Sequence, residues 1–312
     1  MTQPHLATAR EPDMHATDSA HGTSATPAAR STAEHVDRNL NIGRILLEKG
    51  KLTPEDAERV MLLQKETGIR FGEAAQQLGL VSQQDIQEVL ALQFDYPYLQ
   101  RIDRAFPEQL VAAYRPFSPQ VEKLRAVRSQ LMLRWFSDKR RSLVVVGVDQ
   151  NEGVSVLTAN LAVVFSQLGE STLLVDANMR DPRQQKMFGL SNHRGLSDHL
   201  AGRSGSLDFN KLDAFVDLTI LTAGATPPNP QELLSREAFT LFSASVEQNH
   251  DIVLYDASAF NTAADALIVA SRVGGALIVV QQEKTRVADI NLLCEQFVRN
   301  GVEVVGIVVA TF

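Results

Sequence analysis

Between Ser142 and Leu190 the chain runs through SLVVVG, a glycine-bearing loop, a helical stretch and then TLLVD, and that order restricts the fold more than any bulk property does. Leu143 to Val146 is a short β-branched run bounded by glycine, which predicts a buried parallel strand. From Val154 to Leu168 the apolar residues Leu157, Leu161, Val164, Phe165 and Leu168 recur at helical spacing. Gly169 then stands where a C-terminal cap is expected. Thr172 to Val175 predicts a second buried strand. Asp176 closes it, beside the first loop, where open α/β sheets bind ligands.

The alternation continues downstream. DIVLYD, ending at Asp256, reads as a further strand, Asn261 to Arg272 as a helix, Gly275 to Gln281 as a strand, Arg286 to Arg299 as a helix and Val304 to Val309 as a last strand. Such a series predicts an α/β fold with a doubly wound, mainly parallel sheet. Strand, glycine loop and helix N-terminus form the phosphate cradle of P-loop proteins, in which backbone amides hold phosphates and a lysine neutralises them. Laying G-x-x-x-x-G-K-[ST] on the chain puts Val148 at the first glycine, Gly153 at the second, Val154 at the lysine and Ser155 at the hydroxyl. Two of the four signature positions remain. With Val148 at the start, Asn151 must supply the backbone freedom that a glycine would give.

The segments LLVDANMRDPRQQKMFGL, GLSDHLAG (Gly195 to Gly202) and GATPPNPQELLS (Gly224 to Ser235) resemble the nucleotide-binding domain of the bacterial tyrosine kinases, over about residues 120 to 312. The family's strand-end pattern is D-x-D-x-R; here it is Asp176, Ala177, Asn178, Met179, Arg180. Its second acidic strand is similar to DIVLYD, although Ala257, Ser258 and Ala259 replace the hydroxyl residue and two prolines that normally follow. The resemblance implies ATP and Mg²⁺ as cofactors. It also implies nucleotide contacts from Asn151, Glu152, Gly153, Val154, Ser155 and Arg180, a metal held by Ser155, Asp176 and Asp256, and catalytic positions at Asp176 and Asp256. The predicted helix Val121 to Phe136 carries Glu122, Arg125 and Arg128 in an E-x-x-R-x-x-R pattern. As bare structure that is a solvated charged face; in the resembled kinases it lies in a subunit contact, which implies a homo-oligomer. The kinases commonly end in a cluster of tyrosines, whereas the tyrosines here are Tyr96, Tyr98, Tyr114 and Tyr255.

Phosphoryl transfer depends on positive charge placed around the transferred group. Valine cannot replace lysine at position 154, and losing one preorganised donor costs about 3 to 4 kcal/mol of barrier. Asn178 removes a further carboxylate. The expectation is a regulatory or scaffolding pseudokinase with vestigial catalytic aspartates. By resemblance it would act in exopolysaccharide biosynthesis and chain-length control, assembled on a membrane chain-length determinant (a polysaccharide co-polymerase). An active ATPase or tyrosine autokinase with an atypical loop is the alternative.

Upstream, residues 1–38 are rich in Ala, Thr, Ser and His with few large apolar residues, which predicts a disordered tail. Residues 39–95 form a helical tandem-repeat domain, 96–120 a linker and 121–312 the α/β domain. The repeat shows when the chain is slid along itself by 29 positions: Asn41-Ile42-Gly43 matches Arg70-Phe71-Gly72, Gly50 matches Gly79, and Thr53 and Asp56 match Ser82 and Asp85. Thr53 and Ser82 are placed to cap helices whose third residues reach back. Leu46, Ala57 and Met61, with Ala75, Ile86 and Leu90, are expected to form a small core. The repeat resembles the N-terminal domain of type II secretion and pilus ATPases, some of which bind cyclic di-GMP through R-[LI]-G-x-x-L. That resemblance implies Arg70, Gly43 and Gly72 as a candidate site, and a cyclic di-GMP-responsive regulator as a third reading. A helical docking module for a partner protein is the plainer one.

A formal net charge of −7 without a basic stripe excludes nucleic acid as the main partner. No apolar run approaches the roughly 18 residues that span a bilayer, and no signal-peptide core is present. The expected location is therefore cytoplasmic, peripheral to the inner membrane through the partner. Cys294 is the single cysteine, which rules out an internal disulfide.

Overall fold

The computed structural model describes residues 42–93, 106–191, 193–203 and 207–310; the tail expected over 1–38 lies outside them. The chain divides into two compact units after Gln93.

Among the described residues the first unit has four helices: α1 over 42–48, α2 Pro54–Thr67, α3 Phe71–Gln77 and α4 Gln83–Gln93. Gly50 and Gly79 take left-handed φ values of 65° and 70° at the two turns, a conformation that other residues adopt at a cost. Each turn leads into a capping box. The Thr53 hydroxyl accepts the Asp56 amide at 3.1 Å while Asp56 accepts the Thr53 amide. Ser82 and Asp85 do the same. Leu46, Ala57, Val60, Ala75 and Val89 are buried here, with Ile86 and Leu90 packed against them. Met61, expected inside, is 52% exposed. The inward stripe of α2 runs through Ala57 and Val60 at i, i+3, and the next residue lies some 100° round the helix.

The second unit is a seven-stranded sheet between two layers of helices. It begins with α5 (Val111–Tyr114) and α6 (Pro119–Arg134) and continues with β1 (Ser142–Gly147), α7 (Val154–Ser166), β2 (Thr172–Asp176), α8 (Gln184–Met187), α9 (Leu196–Leu200), β3 (Asn210–Leu212) and β4 (Phe215–Leu221). It closes with α10 (Pro230–Leu234), α11 (Glu237–Asn249), β5 (Ile252–Asp256), α12 (Asp265–Val273), β6 (Gly275–Gln281), α13 (Val287–Arg299) and β7 (Glu303–Ala310). The strand order is β3-β4-β2-β5-β1-β6-β7, and every neighbouring pair is parallel except β3 with β4. The doubly wound, mainly parallel sheet expected from the sequence is present.

Alternation along β1 assigns the layers, because successive strand residues face opposite sides. Val144 and Val146 join Tyr255, Ala266, Val269, Leu293 and Phe297 on the α9–α13 face. Leu143 and Val145 join Leu124, Leu131, Leu161 and Phe165 on the α5–α8 face. Helix α7 is buried on nearly every side, so a Leu161→Ala change there would cost about 2 to 5 kcal/mol.

Three local expectations change. Residues 106–118, read as connector, are built into this unit. Asn160 of α7 accepts the Ala112 amide at 2.9 Å and donates to the Gln109 carbonyl at 2.9 Å, and Leu110, Ala112 and Ala113 are fully buried. Helix α7 ends before Leu168, which is half exposed. Helix α12 starts at Asp265 rather than Asn261, because the preceding residues stay beside β1: the Phe260 amide donates to Gly147 O and the Asn261 amide to Val148 O. The β3–β4 pair was not expected at all.

Trp135, just past α6, joins that helix to the sheet. Its indole N–H donates to the Ser142 carbonyl at 2.8 Å. A Cβ on Gly275 at the start of β6 would lie 2.1 Å from its ring, so only glycine fits there. Arg140 stacks 4.1 Å above the ring.

Candidate functional site

β1, β2 and β5 end side by side, and their C-terminal loops surround an open cleft of about 200 Å³ lined by residues 149–156, Asn178, Arg180, Asp181, Arg183, 257–259 and Thr262. The cleft therefore brings Asn151, Glu152, Gly153, Val154, Ser155 and Arg180 together. Asp176 and Asp256 are paired across the sheet beneath it.

The loop after β1 has a particular shape. Asn151 and Gly153 both take left-handed φ values, 65° and 75°, which turn the backbone into the N-terminus of the thirteen-residue α7. Glu152 is buried and faces inward: one carboxylate oxygen accepts the Asp149 amide at 3.0 Å and the other accepts the Thr285 hydroxyl. Val154 packs toward the end of β1. A Cβ on Gly147 would lie 2.8 Å from Val154 Cγ2 and 2.7 Å from Glu152 Oε2. Asn261 donates to Asp149 at 2.9 Å, and Gln150 to Thr262 at 3.2 Å, which ties the loop to the chain after β5.

Both strand-end aspartates are fully buried. Asp176 accepts three backbone amides, from Asn178 at 3.2 Å, Arg183 at 3.0 Å and Gln184 at 2.9 Å. Gln184, itself buried, donates its side-chain amide to Asp256 Oδ2 at 2.7 Å and to the Ser155 carbonyl at 3.0 Å. Burial pushes the Asp256 carboxyl up, and hydrogen bonds from Gln184 and Ser155 offset part of that rise. Asp176 is also raised, by burial and then by the charge of Asp256, against its three amide donors. Two neighbouring buried carboxylates resist ionising together.

Mg²⁺ suits this floor. Asp256 Oδ1 and the Ser258 hydroxyl are buried without a protein partner, and such atoms call for a ligand or water. Ser155, Asp256 and Asp176 would hold the ion, which would supply positive charge beside phosphate. The α7 amides would hold phosphate oxygens.

Arg180 does not point its charge at the cleft alone. Its guanidinium makes a bidentate pair with Asp265, Nε to Oδ2 at 2.6 Å and Nη2 to Oδ1 at 3.1 Å. Gln184, Asp265, Ser258 and Thr285 were not anticipated from sequence. Only Asp265 carried a usable signal, as an acidic residue in the first turn of a helix.

The remaining sequence candidates lie elsewhere. On α6, Arg125 pairs with Glu122, while Arg128 turns inward and donates to the Val164 carbonyl at 2.7 Å. In the helical unit, Gly43 and Gly72 are packing positions, where an added Cβ would meet Phe71 at 3.1 Å and Ile86 at 3.3 Å. Arg70 caps α3, its amide donating to Glu73. Among the described residues no helix is long and apolar enough to cross a membrane.

No protein-family model matches the chain. It is 32% identical over 194 residues to "Putative tyrosine-protein kinase CapB" of Staphylococcus aureus, covering 62% of this chain and 85% of that protein. It is 30% identical over 270 residues to "Putative tyrosine-protein kinase in cps region" of Klebsiella pneumoniae, covering 86% of this chain but 35% of that longer protein. The kinase domain of Escherichia coli tyrosine kinase ETK superposes with a TM-score of 0.63 at 25% identity, covering 68% of this chain and 84% of that domain. The buried aspartate pair, the loop before α7 and these likenesses lead to one conclusion: the chain belongs to the bacterial tyrosine-protein kinase family.

Proposed function

We propose that this chain is a regulatory or scaffolding member of the family, working in exopolysaccharide assembly beside a membrane chain-length determinant, with a cleft that takes Mg²⁺–nucleotide and transfers phosphate poorly. The observation that carries the reading is Val154. The first residue of α7, where a P-loop lysine would stand, is an aliphatic side chain packed toward Gly147. Asn178 compounds it by offering an amide at the second acidic position of the strand-end pattern. The loss of the lysine alone lowers the rate by about a hundredfold or more. The polysaccharide setting is supported by the family resemblance and by the cps-region name of a relative. Exposed Glu122 and half-buried Arg125 on α6 are the charged pair by which copies would assemble.

Incubating the purified chain with radiolabelled ATP and Mg²⁺ tests the reading. The expected result is nucleotide retention with no label on tyrosine and negligible turnover. Label on tyrosine of this chain or of a partner, abolished by Asp256→Asn, would overturn it. The double change Val154→Lys with Asn178→Asp should tighten nucleotide binding; unchanged affinity would locate the defect in the loop backbone.

A further inference from the structure

Among the described residues, the basic side chains lining the cleft are Arg180 and Arg183, and they are held in different ways. Arg180 is committed: its partner Asp265 has a side chain only 2% exposed, and separating such a pair would strand a buried charge. Arg183 rests on Asp181 through Nε at 3.0 Å and Nη2 at 2.7 Å. These side chains are 52% and 63% exposed, and an ion pair screened by solvent in this way adds little stability. A phosphate can draw the guanidinium away from it.

The base of Arg183 is fixed, whereas its guanidinium is held only by the exposed Asp181. Its backbone amide donates to Asp176 Oδ2 at 3.0 Å. The next residue, Gln184, is anchored to Asp176, Asp256 and Ser155. The floor itself asks for a ligand, because the Ser258 hydroxyl lines the cleft, buried and without a protein partner.

We propose that Arg183 is the phosphate-binding cation of this cleft, replacing from the β2 side the positive charge that Val154 withholds at the start of α7. Asp181 is its resting partner, and the ligand class is the polyphosphate tail of a nucleoside di- or triphosphate. A guanidinium suits this task because it binds phosphate oxygens in pairs. The inference rests on the reading that the cleft takes a nucleotide.

The test is titration of the full chain with a fluorescent ADP analogue in Mg²⁺. Arg183→Ala is expected to weaken binding about tenfold and Arg183→Lys to recover part of it. Asp181→Asn is expected to tighten binding about threefold; because Asp181 lines the cleft and loss of its charge favours an anion by itself, the part of the gain due to Arg183 is the part lost when Asp181→Asn is combined with Arg183→Ala. If the unaltered chain fails to bind the probe at millimolar concentration, the nucleotide reading and this assignment fall together. If it binds, and Arg183→Ala and Asp181→Asn each leave Kd within about twofold of its original value, the assignment alone falls. Should Arg183→Ala not fold, Arg183→Gln takes its place in both the single and the double variant.

Discussion

Asp56 and Asp85 of the helical unit and Asp176 and Asp256 of the α/β unit are the same side chain set at the ends of elements, yet their acidities move in opposite directions. Asp56 is lowered by hydrogen bonds from Thr53. Asp85 meets opposition from burial, but Lys51 and Ser82 bring it down to about 2. The strand-end pair is raised, chiefly by burial. In the helical unit Asp56 meets donors from its own turn, and Asp85 meets Ser82 of its own turn and Lys51 of the other repeat, so their charges stabilise the fold. In the α/β unit two carboxylates are fully buried side by side, and burial and then the charge of Asp256 raise the pKa of Asp176; such a perturbed pair is of the kind that clusters at functional sites.

The sharpest way to break this contrast is Asp176→Ala. It strands three backbone amides, from Asn178, Arg183 and Gln184, and should cost about 3 to 5 kcal/mol in chemical denaturation. A loss below about 1 kcal/mol would show that the floor does not hold the cleft together. Asp256→Asn should act the other way, raising stability by about 1 to 2 kcal/mol at pH 8 in EDTA by removing a buried charge. A carboxyl with a raised folded pKa penalises the native state when ionised, so this gain should shrink as pH falls below neutrality. A gain that is flat with pH would sink the electrostatic account. The smallest effect is expected for Ser82→Ala, about 1 kcal/mol, seen as faster amide exchange over residues 86–93. Because the Asp85 pKa is depressed, the stability it contributes is present above pH 4 and lost as pH falls toward 2. Protection of α4 should follow that curve in the parent chain and much less steeply in Asp85→Asn.

Much of the fold was legible because burial and periodicity agree. The apolar runs at β1, β2, β5 and β6 are strands buried along nearly their whole length, and the repeat betrayed the helical unit through its spaced glycines and capping pairs. The β3–β4 pair escaped notice because β3 is three residues long and partly polar, and Asp213-Ala214 gives no tight-turn signal. At the site, the pattern D-x-x-x-R and the loop sequence located the aspartates and the cradle. Gln184 was invisible because its role comes from a contact 72 residues away in the chain, and the helix-start signal of Asp265 did not reveal its partner Arg180, 85 residues away. Val154 was visible as a missing lysine, but only the structure shows that its side chain packs against the end of β1.

Trp135 is the single tryptophan of the chain, 2% exposed and seated on Gly275 with its N–H on Ser142. Its emission is thus a built-in optical gauge of the seam between α6 and the central strands. Any rearrangement of α6 would change the polarity around that indole and register as a spectral shift, without an added dye.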